Sequence, residues 1–564
     1  MTILPHTKKQ RIAVFAILIA VAALGTAAAL YLGIHNAGFA PTEDSFFSAP
    51  FTAGKKVLVL VAHPDDDVNL AYGVIDAFAR AGSRVTIAFS TNGDVGGDAQ
   101  VRVLEAVKAD ALMGVAKDDI VLLGYGGRLS PPFFLSGYDL VRTNESGYTE
   151  TFGAGGITDY HTLVFGQPAA YTRANYETDI RQLILNLRPD LLFVTDTDDN
   201  VDHVSLSQSF DGVMGGILRE NSDYRPLVFK GFCYEYAWHG NKDFYHSLTL
   251  KSAAPTWKKT SYHHAYAWAE RVRFPLPDAY LGYTLRSSRL RKLLCAYASQ
   301  NAVAQENGLL NGDRVFWERR ADALWADVTA TSGDAALLQD FRIGDAREAP
   351  LRTCWTPDAG DTRPVITFAW PVPQTIAELA FYDAPDPAGD ILRVRVEDGE
   401  GYAVEYTLPD GSGEPCRLQW NGAATRTLTV TVLKSRGDRI GLSEIEVLPP
   451  RDTAAQWIHL LDADGNFLYE TAVPAGQAFH LLLYGYPAVP AQASATVVRE
   501  STGETVAEIQ YGAAGFSIPP LPKGRYRITA VSGDCRVEAV LRVGDSMLKE
   551  RVLRRIERMA DDLL

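Results

Sequence analysis

The sequence Ala62-His63-Pro64-Asp65-Asp66-Asp67 places an imidazole and three carboxyl groups in one short turn after the apolar residues 57–61. Like charges repel one another in a poorly solvated cleft, so such a cluster needs a counter-charge. A divalent metal ion would supply it: His63 and Asp66 offer one nitrogen and one oxygen ligand, and Asp65 is then free to act as a base. The alternative interpretation is a strand-to-helix turn, in which Asp65 or Asp66 caps the next helix and His63 is structural.

Two further polar groups follow later predicted strands. Asp94 ends the sequence Thr91-Asn92-Gly93-Asp94, which stops the predicted strand 84–90. The predicted strand 190–195 is followed by Asp196, Asp198, Asp199, Asn200, Asp202 and His203. Because ligands bind outside the carboxyl ends of strands in open parallel sheets, we expect the three groups to converge there. Any one of them alone could be a solvent-exposed loop.

Strands and helices alternate between residues 50 and 335, which is typical of a doubly wound, mostly parallel (Rossmann-like) α/β sheet. An edge strand is expected at 227–232. The turn after the first strand lacks the glycine pattern of a dinucleotide site. The aromatic stretch 124–170 is either a lid or sugar platform, or an apolar cluster under a long loop. The other predicted elements are strands 57–61 and 120–123 and helices 68–81, 100–115, 174–187 and 205–220.

These motifs, together with Arg102-Val103-Leu104-Glu105 and the pair Asp202-His203, resemble the PIG-L/LmbE-like zinc-dependent deacetylases over about residues 55–330. Those enzymes remove acetyl groups from N-acetylglucosamine-type sugars and related amides. The resemblance implies Zn²⁺ as the cofactor. It also implies the following roles: metal ligands His63, Asp66 and His203; general base Asp65; substrate binding by Asp94 and Arg102; and supporting positions for Asp67 and Asp202, the latter orienting either His203 or the base.

Two residues depart from the family's pattern. Asp67 stands where a glutamate is usual, and Asn200 stands where a histidine usually stabilises the oxyanion and protonates the leaving amine. Asparagine donates a hydrogen bond but cannot deliver a proton. We therefore expect Asn200 to keep the oxyanion role and the proton to come from Asp65 or a loop histidine. The histidines considered are His239, His263 and His264, each of which is otherwise a structural or surface residue. For Arg102 and Glu105 the alternative is an ordinary ion pair on a helix face.

The chain has 564 residues and a formal net charge of −14, with no Lys/Arg cluster outside its two ends. This length predicts several domains, and the charge argues against a nucleic-acid partner. Lys8, Lys9 and Arg11 precede the apolar residues 12–34, which are long enough to span a bilayer. Residues 1–11 would then be cytoplasmic and the remainder extracytoplasmic. The alternative is a cleaved signal peptide and a secreted protein. The sequence predicts no oligomeric state.

From about residue 340 short apolar runs replace the helical periodicity, which predicts β-sandwich domains at 340–450 and 456–545. Residues 441–447 resemble the closing strand of discoidin-like (galactose-binding-like) modules, which often bind glycans; the alternative is a packing domain without a ligand. The second sandwich is predicted to be Ig-like. Residues 546–564 predict an amphipathic helix. Cys354 and Cys416 fall in one predicted domain and are the proposed disulfide pair.

Together these features predict a membrane-anchored, extracytoplasmic zinc hydrolase that deacetylates N-acetylated amino sugars of a glycan or glycoconjugate. One alternative is a glycan-binding surface protein that has lost turnover, with Asn200 as the lesion. Another is a zinc amidase that acts on a non-sugar acyl amine.

Overall fold

The computed structural model describes residues 7–48, 51–234, 251–253, 266–305, 309–344, 353–385, 389–409 and 414–563. His239, His263 and His264 lie outside these residues. The described chain begins with helix α1 (Lys8–His35). Its span Arg11–His35 is long and apolar enough to cross a membrane, and none of it is buried; a signal sequence has the same properties.

A seven-stranded mixed sheet forms the centre of the N-terminal domain. Its strand order is β3-β2-β1-β4-β5-β7-β6, in which the first five strands are parallel, β7 is antiparallel to β5, and β6 is antiparallel to β7. The strands are β1 (Lys56–Val61), β2 (Arg84–Thr91), β3 (Ile120–Tyr125), β4 (Leu191–Thr195), β5 (Leu227–Gly231), β6 (Val272–Pro275) and β7 (Asp313–Arg319). The expectation that β5 lies at the edge is wrong, because β7 arrives from far along the chain to pair with it.

Helices cover both faces of this sheet. Alternate residues of β1 enter two separate cores: Val57, Val59 and Val61 lie in one core, and Leu58 and Leu60 lie in the other. The first core also receives the apolar faces of α2 and α3, and the second receives those of α5 and α6. The helices are α2 (Asp66–Arg80), α3 (Ala99–Leu112), α4 (Tyr160–Phe165), α5 (Arg173–Leu187), α6 (Val201–Glu220) and α7 (Arg289–Leu294).

A first β-sandwich follows, built from a five-stranded sheet (β12-β11-β14-β9-β8) and a three-stranded sheet (β13-β10-β15). Strand β8 lies within the residues predicted as the α/β domain, yet it pairs with β9, so the sandwich begins before residue 340. Its strands are β8 (Asp327–Ala330), β9 (Val365–Gln374), β10 (Glu378–Asp383), β11 (Gly389–Asp398), β12 (Ala403–Thr407), β13 (Cys416–Gln419), β14 (Thr425–Gly437) and β15 (Leu442–Leu448).

A second β-sandwich packs a three-stranded sheet (β16-β18-β21) on a five-stranded one (β17-β23-β22-β19-β20). Trp457 of β16 stacks on Tyr486 and contacts Phe274 of β6, so this sandwich shares a core with the N-terminal domain. The chain ends in helix α8 (Leu548–Leu563). The strands are β16 (Trp457–Leu461), β17 (Glu470–Val473), β18 (Phe479–Tyr486), β19 (Ser494–Arg499), β20 (Glu504–Gln510), β21 (Phe516–Ile518), β22 (Gly524–Ser532) and β23 (Cys535–Val543).

All five cysteines are free thiols, so the expected Cys354–Cys416 disulfide is absent. Cys354 is buried beside Gly344, whereas Cys416 begins the edge strand β13. Membership of one domain did not bring the two side chains together.

Candidate active site

The three polar groups predicted from the sequence meet at the carboxyl end of the sheet. Strand β1 lies between β2 and β4, so the turn after β1 is flanked by the turns after both neighbours. Helix α2 begins at Asp66 and helix α6 begins at Val201, which puts His203 in the first turn of α6. The doubly wound topology therefore brings His63 and His203 together although they are far apart in the chain.

His63, Asp66 and His203 each present one ligand atom, and these atoms lie within 4.8 Å of one another. The Asp66 Oδ2 atom lies 2.9 Å from His63 Nδ1 and 3.0 Å from His203 Nε2. The other carboxylate oxygen, Asp66 Oδ1, is buried and has no hydrogen-bond partner among the described residues. Two imidazole nitrogens and a carboxylate are a donor set typical of catalytic zinc, so the residues fit the predicted ion.

Each histidine uses its second ring nitrogen to contact a different carboxylate. His63 Nε2 lies 3.1 Å from Asp202 Oδ2, and His203 Nδ1 lies 2.7 Å from Asp198 Oδ2. Such contacts fix the ring orientation of a metal-binding histidine. Asp202 thus contacts His63, rather than His203 as one interpretation had it. Adjacent residues of a helix do not face each other, so Asp202 cannot orient the histidine next to it.

The charges of the cluster favour a cation at its centre. Burial by itself lowers the pKa of His63, but Asp66 and Asp202 outweigh burial and raise it to about 9. Burial raises the pKa of Asp66, but His203 and His63 outweigh it and hold that pKa well below its usual range. The cluster therefore attracts positive charge, either as protons on the imidazoles or as a metal cation in their place.

Asp65 precedes α2 with a φ of 129°, an unusual backbone conformation for a residue with a side chain. Burial, followed by the charge of Asp66, raises the pKa of Asp65 to about 7. Arg102 holds the turn from the other side: its Nη2 lies 3.6 Å from Asp65 Oδ1 and donates to the Pro64 carbonyl at 3.1 Å. Arg102 thus braces the turn of Asp65, and Glu105 accepts from Ser299 instead of serving mainly as a helix-face partner.

Two protein families match parts of the chain. Residues 58–213 match the family described as PIG-L, GlcNAc-PI de-N-acetylase. This stretch is a PIG-L domain. Residues 324–448 match a second family, a domain of unknown function named DUF7402. No curated protein matches the chain.

Several solved structures are similar to parts of the chain. The N,N'-diacetylchitobiose deacetylase from Pyrococcus horikoshii is 14% identical with a TM-score of 0.27, covering 48% of this chain and 86% of its own. A fucose binding module from Streptococcus pneumoniae is 14% identical with a TM-score of 0.19, covering 23% of this chain and 97% of its own. A family 32 CBM from C. perfringens, in complex with galactose, is 13% identical with a TM-score of 0.19, covering 22% of this chain and 91% of its own.

Asn200 of the PIG-L domain is the N-cap residue of α6. Its Oδ1 accepts from the Asp202 N–H at 2.8 Å, and its Nδ2 lies 3.5 Å from the hydroxyl of Tyr234. The Tyr234 ring stacks on His203 with centroids 5.0 Å apart. The Oδ1 atom is therefore engaged in capping α6. The amide nitrogen points toward Tyr234, on the side of the site where that ring stacks on His203.

Asp94 supports the cluster of His63, Asp66 and His203 through a loop. Its two carboxylate oxygens accept from the Gly127 N–H at 2.9 Å and from Asn144 Nδ2 at 2.6 Å. The next N–H along that loop, that of Arg128, donates to Asp202 at 2.8 Å. Asp94 thus fixes the loop that holds Asp202, and its role in substrate binding stays a prediction.

Three residues that complete the site were not predicted from the sequence: Asp198, Tyr297 and Asp110. Asp198 had appeared only as one acidic residue among several, although it is the one that contacts His203. Behind the cluster, Asp67 accepts from the Tyr297 hydroxyl at 2.6 Å. Burial, followed by the charge of Asp67, raises the pKa of the nearby Asp110 well above its usual value. Burial likewise raises the pKa of Asp67 to about 6. Asp110 lies in α3. The one sequence feature that could have pointed to it is that its helical spacing puts a carboxyl group on the otherwise apolar face of that helix.

The aromatic stretch 124–170 mostly joins the core. Phe133 and Tyr160 are buried in the core on the α5 and α6 face of the sheet, whereas Tyr138 and Tyr148 are exposed. His161 contacts Asp179 at 2.7 Å. The apolar-cluster interpretation accounts for Phe133 and Tyr160, and a lid or sugar platform stays a prediction for the exposed rings.

Proposed function

We propose that the PIG-L domain is a zinc-dependent N-deacetylase that removes acetyl groups from N-acetylated amino sugars. The observation that supports this proposal is the grouping of His63, Asp66 and His203, with Asp65 in the same turn. Three protein ligands would leave a further position of the ion for water and substrate, which is how catalytic zinc sites differ from structural ones.

When bound, Zn²⁺ would make water acidic enough to ionise near neutral pH and would polarise an amide carbonyl. Asp65 takes the proton of the attacking water on its carboxylate. Its turn is fixed from two sides, because Arg102 bonds to Pro64 and the Asp65 N–H donates to Asp67 Oδ1 at 3.2 Å. Such positioning is what general-base catalysis requires.

The carbonyl oxygen of the substrate becomes an oxyanion as water attacks, and it needs hydrogen-bond donors. We assign this task to Asn200 Nδ2, with the Tyr234 hydroxyl beside it. Neither group is an acid near neutral pH, so the proton that the leaving amine needs returns from Asp65, or comes from a histidine outside the described residues. Asn200→Ala with unchanged turnover would remove Asn200 from the mechanism.

The proposed setting is extracytoplasmic. Helix α1 would anchor the chain in the membrane with its basic N-terminus in the cytoplasm, and the partner would be an acetylated surface glycan or amino-sugar conjugate. The first sandwich, whose residues 441–447 resemble discoidin-like modules, would hold the glycan near the site or act as a spacer.

The test is acetate release by the full chain in detergent, with N-acetylglucosamine oligomers, a surface-glycan extract and a non-sugar N-acetyl amine as substrates. Each is assayed with zinc, with a chelator and with Asp65→Ala. Release from the sugars that needs both zinc and Asp65 supports the proposal. Release from the non-sugar amine alone favours the general amidase. Bound zinc without release from any substrate favours the glycan-binding protein.

A further inference from the structure

The C-terminal helix α8 presents two different faces. Leu553, Arg554 and Glu557 are buried against the rest of the chain. On another face, Leu548, Val552, Ile556 and Met559 are between 47% and 63% exposed. Spacings of three and four residues put these four side chains on one side of a helix. We refer to them as the apolar stripe.

The buried face attaches α8 to the chain at the point where α1 ends. Arg554 Nε donates to the Tyr283 carbonyl at 3.0 Å. The neighbouring Thr284 hydroxyl contacts His35, the last residue of α1, at 3.0 Å. Glu557 lies 3.7 Å from the same His35. One short loop, the end of α1 and the middle of α8 therefore form a single junction, which holds α8 next to the carboxyl end of the apolar helix.

Basic side chains border the apolar stripe. Arg551, Arg555 and Arg558 are exposed and fall on one side of it, and Lys549 is exposed on the other. The acidic Glu557, by contrast, is turned inward. From Leu548 to Leu563 the sequence has five basic and four acidic residues, a formal charge of +1, against −14 for the whole chain. An apolar face bordered by basic residues is the pattern of a helix that lies in the surface of an anionic bilayer.

We propose that α8 is a membrane-surface helix, whose apolar stripe enters the lipid layer where α1 leaves it. The inference rests on the proposed membrane setting of α1. Residues 12–34 of α1 rise about 34 Å as a helix, roughly the thickness of the hydrocarbon core, so His35 would lie at the headgroup level. The junction at His35 puts α8 at that same level. The bilayer would then fix the orientation of the PIG-L domain at two points rather than one.

The test places a photoreactive benzoylphenylalanine at single positions of the full chain, reconstituted in vesicles of equal parts phosphatidylcholine and phosphatidylglycerol. The positions are Ile556 in the stripe, Ile19 in α1 and Val372 as the matched control. Val372 is an exposed apolar residue of the first sandwich, at 56% exposure. Mass spectrometry identifies what each probe captures. We expect lipid adducts at Ile556 and Ile19 and none at Val372.

Lipid capture at Ile19 without capture at Ile556 overturns the inference and leaves the anchor in place. Capture at neither position overturns the membrane setting and the inference together. Capture of a second copy of this chain at Ile556 also overturns it, because the stripe would then be a dimer contact.

The basic residues give a second measurement that does not depend on the stripe. We expect Arg551→Gln and Arg555→Gln each to lower the lipid adduct yield at Ile556 about fivefold. Lys434→Gln, an exposed charge change in the first sandwich, should leave the yield unchanged. Equal yields from all three variants would refute the electrostatic part of the proposal.

Discussion

The contact between Asp198 and His203 gives a direct test of the proposed metal site. Both side chains are fully buried, and their nitrogen and oxygen atoms lie 2.7 Å apart, a short distance typical of a charge-assisted bond. Asp198→Asn preserves the size of the side chain and one acceptor oxygen but removes the negative charge. His203 then keeps its orientation but becomes a weaker ligand for a metal ion, because its ring is less basic.

The expected size of the effect follows from this geometry. A hydrogen bond to a charged group contributes about 1.5–3 kcal/mol, and about 1.4 kcal/mol corresponds to a tenfold change in affinity. We therefore expect Asp198→Asn to weaken Zn²⁺ binding by about 10- to 100-fold, which is also the usual range for such supporting carboxylates. Turnover measured at saturating zinc should fall less than affinity does.

The assay is a competition titration of zinc between the purified full chain and a chelating dye, accompanied by thermal unfolding of each variant. Asp199→Asn is the matched control, since Asp199 is the next residue and is exposed. It makes the same chemical change without the buried contact to His203. Wild-type zinc affinity in a folded Asp198→Asn protein would refute the assignment of Asp198, as would an equal loss in both variants.

Three further variants test other parts of the structure. Asp65→Ala should abolish acetate release while zinc binding is retained, measured by activity and metal content; retained release would remove Asp65 as the base. Gly215→Ala should destabilise the fold by about 1–3 kcal/mol, because the new methyl group meets the Asp340 carbonyl. Its control is Gly216→Ala, where the nearest contact of the new methyl group is at 3.7 Å, so the stability should stay unchanged or rise. Urea unfolding measures both variants. Tyr297→Phe removes the hydroxyl that donates to the buried Asp67 and should cost about 1–3 kcal/mol in urea unfolding, so an unchanged midpoint contradicts the role of that bond.

The sequence predicted most of the strands around the site because each is a continuous apolar run. Strands β1, β2 and β4 and their carboxyl-end residues were placed from local pattern alone, and the site follows from the topology that such alternation imposes. The convergence of the three polar groups followed from that topology, whereas the choice of His203 as the third ligand came from the resemblance to the deacetylases. The multidomain arrangement was predicted from the change of periodicity near residue 340.

The features that could not be predicted are strand pairings and side-chain contacts between residues that are far apart in the sequence. Strand β7 joins β5 after a long excursion of the chain, and nothing in residues 313–319 specifies that partner. Asp198 and Asp202 are both acidic residues before or within the start of α6, and only their directions decide which histidine each one contacts. Tyr297 reaches Asp67 across 230 residues of sequence. Such contacts follow from three-dimensional packing and produce no periodic pattern in the sequence.

A buried chain of charges connects the PIG-L domain to the first sandwich. Asp196, which follows β4, accepts from Ser207 at 2.6 Å and lies 3.5 Å from Lys230 of β5. Lys230 donates to Asp211 at 2.7 Å. Arg319 of β7 lies 3.8 Å from Asp211 and 3.4 Å from Glu446, a residue of β15 in the sandwich.

Glu446 therefore neutralises Arg319, a fully buried arginine of the seven-stranded sheet. Removing one partner of a buried ion pair costs about 3–5 kcal/mol when the remaining charge has no other partner. Arg319 keeps Asp211 at 3.8 Å, so we expect the cost of losing Glu446 to lie toward the lower end of that range. Glu446→Ala should consequently destabilise the PIG-L domain as well as the sandwich, with both unfolding in one transition. A first transition confined to the sandwich, with the metal site intact after it, would show that the two parts fold independently. The shared charges instead make the sandwich part of the scaffold behind the end of β1, which His63 follows, and the start of α6, which carries His203.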